Sequence, residues 1–186
     1  MMPPISAGTW PVDLQVEIRD EELKKLIKDL ERAGKDLTPA LKRSGVHMIS
    51  SFDKNFKQQG RPQRWKPLSP NTIAARRKGS SAILQDKGLL RMSMLSRAAR
   101  GNIYRLTKDS LVMGSNLKIA PYHQYGTQPY IIRPRTKKLL RFKTAQGWAF
   151  ARLVHHPGLP ARPFALIQPE DETALAEIFA DHMVSE

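Results

Sequence analysis

Charge is laid out along this chain in three blocks, and that layout limits its fold more than any motif does. Residues 54–169 hold 23 lysines and arginines against two acids, Asp86 and Asp109, and no acid lies between Ser110 and Pro169. Residues 1–53 are nearly neutral, with 8 basic and 9 acidic side chains, and residues 170–186 hold six acids and no Lys or Arg. The middle block, at net +21, repels itself unless counterions or a partner neutralise it. Ordinary surfaces intersperse the two signs. The layout therefore points to a polyanionic partner: nucleic acid, an acidic protein or a membrane surface. The acidic C-terminal block is itself a candidate, in its own chain or in a neighbouring subunit.

The 186 residues suit a single domain able to bury a core without staples. With no cysteine there is no disulfide framework, thiolate zinc site or cysteine nucleophile. The longest uncharged stretches, such as 110–117 and 119–132, are too short and too broken by Pro, Gly, Asn and Gln to span a bilayer. Met1 to Val12 lacks the basic start and apolar run of a secretory signal, so the expected compartment is the cytosol, with no membrane partner.

Periodicity supplies the elements. Val12, Leu14, Val16 and Ile18 alternate as in a half-buried strand. Asp20 caps a helix carrying Leu23, Leu26, Ile27 and Leu30, with Gly34 as its stop. Thr38-Pro39 opens a longer helix reaching Gln59-Gly60, with Leu41, Val46, Ile49, Phe52 and Phe56 on its apolar face. The loop 60–70 contains three prolines and Trp65, which anchors to the core more naturally than it stacks on a base. A short helix follows from Asn71 to Lys78, then a buried helical segment with Leu89, Leu90, Met92 and Leu95. Asn102–Leu106 and Leu111–Gly114 read as a hairpin. Tyr130–Ile132, Leu139–Phe142 and Trp148–Val154 read as further strands, and Pro169 precedes a last helix striped with Leu175, Ile178, Phe179 and Met183. Helices at the ends and strands between them, with no βαβ alternation, predict an α+β fold: an antiparallel sheet with a long N-terminal helix pair and a C-terminal helix.

Converging catalytic groups are not apparent. His155-His156 is the best metal candidate, but neighbours on a strand point to opposite faces. Phosphate-binding glycine loops, HExxH and GxSxG are missing, as are helix-turn-helix, zinc-finger and RNP patterns. No catalytic residue, metal or cofactor is expected. Basic residues spread over strands and loops suit phosphate contact more than base reading.

Four blocks in order carry a resemblance: WKPLSPNTIAARRKG (65–79), ILQDKGLLRMSM (83–94), LVMGSNLKIAPYHQYG (111–126) and LPARPFALIQPED (159–171). Together they resemble the phage virion morphogenesis family, the tail-completion proteins of phages such as Mu and P2. GWAFARLVHHPGLPARPF (147–164) also resembles neck or tail-completion proteins of siphophages. The resemblance spans about residues 20–180. It implies a structural virion protein of the tail end or neck, made in the host cytoplasm, that acts in head–tail joining and forms a homo-oligomeric ring, often hexameric, with other tail and neck proteins. Within the matching blocks Gly88 and Gly126 are expected to turn the chain and Trp65 to anchor it. Pro163 fixes the backbone, Phe164 enters the core, and Arg162 is free to pair with a carboxylate. Relative to shorter members, residues 127–158 form an insert within the single domain. There Arg133, Arg135, Lys137, Lys138, Arg141 and Lys143 are expected on a hairpin facing the DNA backbone or an acidic partner ring. A nucleic-acid-binding protein outside a virion, and a nuclease, are the alternative readings.

Overall fold

The computed structural model describes Lys25, Lys28, Asp29, Arg32, Gly34 and residues 36–76 and 79–184. The strand expected at 12–18 and most of the first expected helix, with its Asp20 cap, lie outside the described residues. The five described residues of that helix are helical, Gly34 included, and Asp36 is no longer helical.

Helix α1, Thr38–Gln58, opens on Pro39 in its first turn. It closes with Gln59 left-handed at φ 58° and the Gly60 N–H donating to Asn55 O at 3.0 Å. Its buried face is Leu41, Met48, Phe52 and Phe56, filled in by the small residues Ala40, Ser44, Gly45 and Ser51. Val46, expected on this face, is 66% exposed. A hairpin of β1, Asn102–Leu106, and β2, Leu111–Ser115, packs close enough at Gly45 that an added Cβ would meet Tyr104 Oη at 2.5 Å. Small residues, not a valine, make that approach possible.

Helix α2, Pro70–Ala75, is capped by Ser69 Oγ, which accepts from the Thr72 N–H at 3.2 Å. Helix α3, Leu89–Leu95, buries Leu90, Ser93 and Met94, while Leu89 and Met92, expected inside, face out. Arg91 on α3 reaches Asp53 on α1 through Nε at 3.0 Å. After β2 come α4, Ala120–Tyr125, then β3, Tyr130–Ile132, β4, Leu140–Thr144, β5, Gly147–Ala151, and β6, Val154–His156. The run expected as one strand from Trp148 to Val154 breaks at Arg152-Leu153 into β5 and β6, which pair with different partners. The fold is α+β, and the strands of the described residues form three antiparallel two-stranded ribbons, β1–β2, β3–β6 and β4–β5, where one sheet was expected. Among the described residues no helix is long and apolar enough to cross a membrane.

The core gathers Met48, Phe52, Phe56, Trp65, Leu84, Leu90, Met94 and Phe164. Helix α5, Pro169–Val184, lies against α1, yet its fully buried residues are Asp171 and His182, and its apolar stripe is half-covered. Asp171 accepts from Ser51 Oγ at 2.6 Å and the Gln168 N–H at 2.9 Å, and pairs with His47 Nε2 at 2.8 Å. Arg61 donates to Ser51 Oγ at 2.7 Å and to Glu170 Oε1 at 2.7 Å. Burial alone would raise the Asp171 pKa, but the bonds from Ser51, Gln168 and His47 outweigh it and hold the carboxyl below the usual aspartate range. The folded pKa is therefore below the unfolded one. Its stabilisation is complete above the unfolded value and is lost as pH falls through the folded one. Asp171→Ala is expected to cost about 3 kcal/mol in urea unfolding at neutral pH, and to flatten the loss of stability seen below about pH 3.8.

Candidate functional site

Residues 159–168 leave the ribbons and run through the core without a strand partner. Buried backbone groups need partners, and side chains provide them. Asn55 Nδ2 donates to Pro163 O at 3.2 Å and Phe164 O at 3.1 Å, and Trp65 Nε1 donates to Pro163 O at 3.1 Å. Gln124 Oε1 accepts from the N–H groups of Phe164 and Ala165 at 3.1 and 3.2 Å, while its Nε2 donates to Ala165 O at 3.0 Å. The Phe164 ring lies 5.9 Å from Phe56, which meets Trp65 edge-on at 5.8 Å. The Trp65 indole is inside the core and presents no face to a base. Arg162, read as free to pair with a carboxylate, donates to Lys66 O at 2.9 and 3.2 Å. No carboxylate among the described residues lies within ion-pair distance of it. Gly88 sits at the start of α3 with φ 70°.

This segment is also the root of an arm. β3 pairs with β6 and, inside it, β4 pairs with β5, so residues 130–156 make one interrupted hairpin. At its base the Thr127 N–H donates to Leu159 O at 2.9 Å, and the Leu159 N–H donates to Thr127 Oγ1 at 2.8 Å. Gly126, at φ 77° and ψ −176°, occupies a region open essentially to glycine alone, and a Cβ there would meet Leu159 O at 2.7 Å. At the far end the Ala145 N–H donates to Asn71 Oδ1 on α2 at 3.0 Å.

The expected basic residues divide. Arg141 and Lys143 stand on β4, whereas Arg133, Arg135, Lys137 and Lys138 occupy the unpaired stretch 133–139. All six are exposed, as is Arg152, and among the described residues none is within ion-pair distance of a carboxylate. The register places Arg141 opposite Phe150 and Lys143 opposite Trp148, so these four share one ribbon face. Trp148 and Phe150 are 59% and 62% exposed, and the Arg141 guanidinium lies 4.0 Å above the Trp148 ring. Sequence reading did not single out these two aromatics. The signal was there: once the turn at Ala145-Gln146 is placed, 141 and 143 fall on the same face as 148 and 150.

The arrangement suits binding of extended anions by cations and flat apolar surface. Ser51, His47 and Asp171 supply the residue types of a nucleophile triad, but here the carboxylate bridges the other two and the hydroxyl donates to it. The imidazole therefore has no hydroxyl to deprotonate. His156 accepts from the Gly158 N–H at 3.1 Å and stacks on Tyr130, while His155 faces the other side of the strand. Among the described residues no three His, Asp or Glu side chains are placed to hold a metal.

Gly126→Ala is expected to cost about 2 kcal/mol in chemical unfolding and to speed limited proteolysis within 127–158 more than elsewhere. Equal proteolysis of the arm in both proteins would contradict the role given to the glycine.

A family model, described as the phage virion morphogenesis family, matches residues 18–184. Comparison with curated proteins and with solved structures finds no match.

Proposed function

Because the chain belongs to the phage virion morphogenesis family, we propose that it is a structural protein of the tail end or neck, needed for tail completion and head–tail joining. In this reading it acts as a homo-oligomeric ring around the DNA channel, in the virion and, during assembly, in the host cytoplasm. The observation that carries the reading is the arm: seven exposed cations, from Arg133 to Arg152, with no acid between residues 127 and 158. A surface of that kind holds phosphates without reading bases, which suits a passage through which DNA must slide. Arg133, Arg135, Lys137 and Lys138, being on unpaired backbone, can follow a phosphate track, while Arg141 and Lys143 are fixed on β4. A ring needs a heterologous contact that closes on itself, and the acidic α5 of one subunit against the basic middle of the next has the right complementarity.

The test replaces Arg133, Arg135, Lys137 and Lys138 together with glutamine. All four are exposed, so the fold is expected to survive. Infectious particle yield should fall, with tails and filled heads left unjoined in electron micrographs. DNA binding by the purified protein should lose roughly one unit of log–log salt slope for each phosphate contact removed. Normal joining and normal DNA ejection would remove the channel role. Steep salt dependence of DNA binding with no ring and no tail association would favour a nucleic-acid-binding protein outside the virion.

A further inference from the structure

A cleft of about 640 Å³ lies where α2, the turn at 86–88, α4 and the arm root meet. Its cationic lining comes from Lys66, Arg76, Lys87 and Arg162, joined by His123, with Asp86 as its acid. Asp86 is exposed and within ion-pair distance of none of these cations. Arg162 is only 5% exposed, and its guanidinium is met by backbone carbonyls alone. Arg76 likewise donates to the carbonyls of Ser80 and Ala82. A buried guanidinium that finds only carbonyl dipoles keeps its full charge uncompensated.

His123 adds an independent observation. Its Nδ1 is buried and has no hydrogen-bond partner. Burial, then the nearby Arg162 and Arg76, hold the imidazole below the usual histidine range, so at neutral pH the ring is uncharged and one nitrogen carries a proton it can donate. Leu89 and Ile119, large apolar side chains left about half exposed, also line the cleft. The site thus combines a partly buried positive interior with apolar walls, unlike the exposed cation track of the arm.

We propose that this cleft receives a carboxylate presented on an apolar segment of a partner polypeptide, held by Arg76 and Arg162 with His123 beside them. Charge complementarity selects an anion, and the apolar walls select a carboxylate on a hydrocarbon surface over the phosphodiester of duplex DNA. An arginine 5% exposed is out of reach of a duplex backbone, which presents its phosphates on a broad convex surface. Because His156, Pro157 and Leu159 of the arm root line the same cleft, a bound segment would also brace the arm against the body. The inference rests on the assembly reading only in supposing that the partner is another virion protein.

The experiment uses the full-length purified chain with nitrogen-15 labelled histidine, the His123 signals being assigned by comparison with His123→Gln. Probes are hexanoate, inorganic phosphate, a blocked pentapeptide alternating leucine with glutamate, and the same peptide with glutamine. Hexanoate and the glutamate peptide should shift the His123 resonances and raise the pH of its titration, with the peptide binding tighter. The glutamine peptide should do neither. Arg76→Gln should weaken the glutamate peptide by roughly tenfold or more. Leu89→Asp, a change at an exposed position, should abolish its binding with the fold intact. The proposal is overturned if neither carboxylate probe moves His123, if phosphate binds better than hexanoate, or if Leu89→Asp binds the peptide unchanged. Binding is read on the isolated chain, so loss of particle assembly with binding intact, or the reverse, separates this proposal from the assembly role.

Discussion

The fold depends on satisfying the backbone of a segment that has no strand to pair with. From Arg162 to Ala165 the chain crosses the core in irregular conformation, and every buried carbonyl or amide left unpaired there would cost on the order of 1–3 kcal/mol. Asn55 from α1, Trp65 from the proline loop and Gln124 from α4 make those bonds. Side chains from three other elements thus converge on three residues, Pro163, Phe164 and Ala165, and Phe164 is delivered between Phe56 and Trp65 as a consequence. The same segment connects the arm to α5. Its fixed path therefore sets where the basic arm leaves the body and where the acidic helix begins.

α5 is attached differently. Its apolar stripe is only half-covered, and its deeply buried residues are polar: Asp171, tied to Ser51, His47 and the Gln168 amide, and His182, whose Nε2 lies 3.0 Å from Asp36 O. Hydrogen bonds are directional where apolar contact is not, so this network sets the rotation of the helix about its axis. With that rotation fixed, Glu172 and Glu177 face solvent. The exposed Arg43–Asp181 pair adds little to the attachment. A helix held by a polar network and carrying its charge outward is suited to recognition as well as to closing the core.

Elements whose period is local were legible in the sequence: α1, the β1–β2 hairpin and α5 stand where their periodicity puts them, to within a residue or two. What escaped was set by neighbours. Val46 was assigned inward because it is apolar, but the face is closed by Ser44 and Gly45, where the hairpin comes too near for a larger side chain. Leu89 and Met92 were read as buried, yet α3 turns Leu90, Ser93 and Met94 inward, and the Ser93 hydroxyl bonds Leu90 O and Ser115. Short strands with alternating patterns do not say which strand they pair with, and three separate ribbons are indistinguishable from one sheet until register is known. The basic block was plain from composition. That its cations divide between a paired strand, an unpaired stretch and a partly buried cleft was not, because burial of Arg162 depends on Lys66, almost a hundred residues earlier in the chain.

That division decides what can neutralise the excess charge. Several described acids are committed elsewhere: Asp53 to Lys57 and Arg91, Glu170 to Arg61, Asp171 to His47 and Ser51. Among the described residues no acid forms an ion pair with the cations of the arm or of the cleft, Asp86 at the cleft rim included. On the arm the cations sit in water, where attraction is screened within about 10 Å at ordinary salt. Binding there grows with the number of phosphates met at once and is easily exchanged. In the cleft the guanidinium of Arg162 has already lost most of its hydration on folding, so an incoming carboxylate recovers attraction with less further desolvation and less screening. On the proposed readings the two surfaces therefore suit different anions: a sliding polyanion on the exposed arm, a single seated carboxylate in the partly buried cleft.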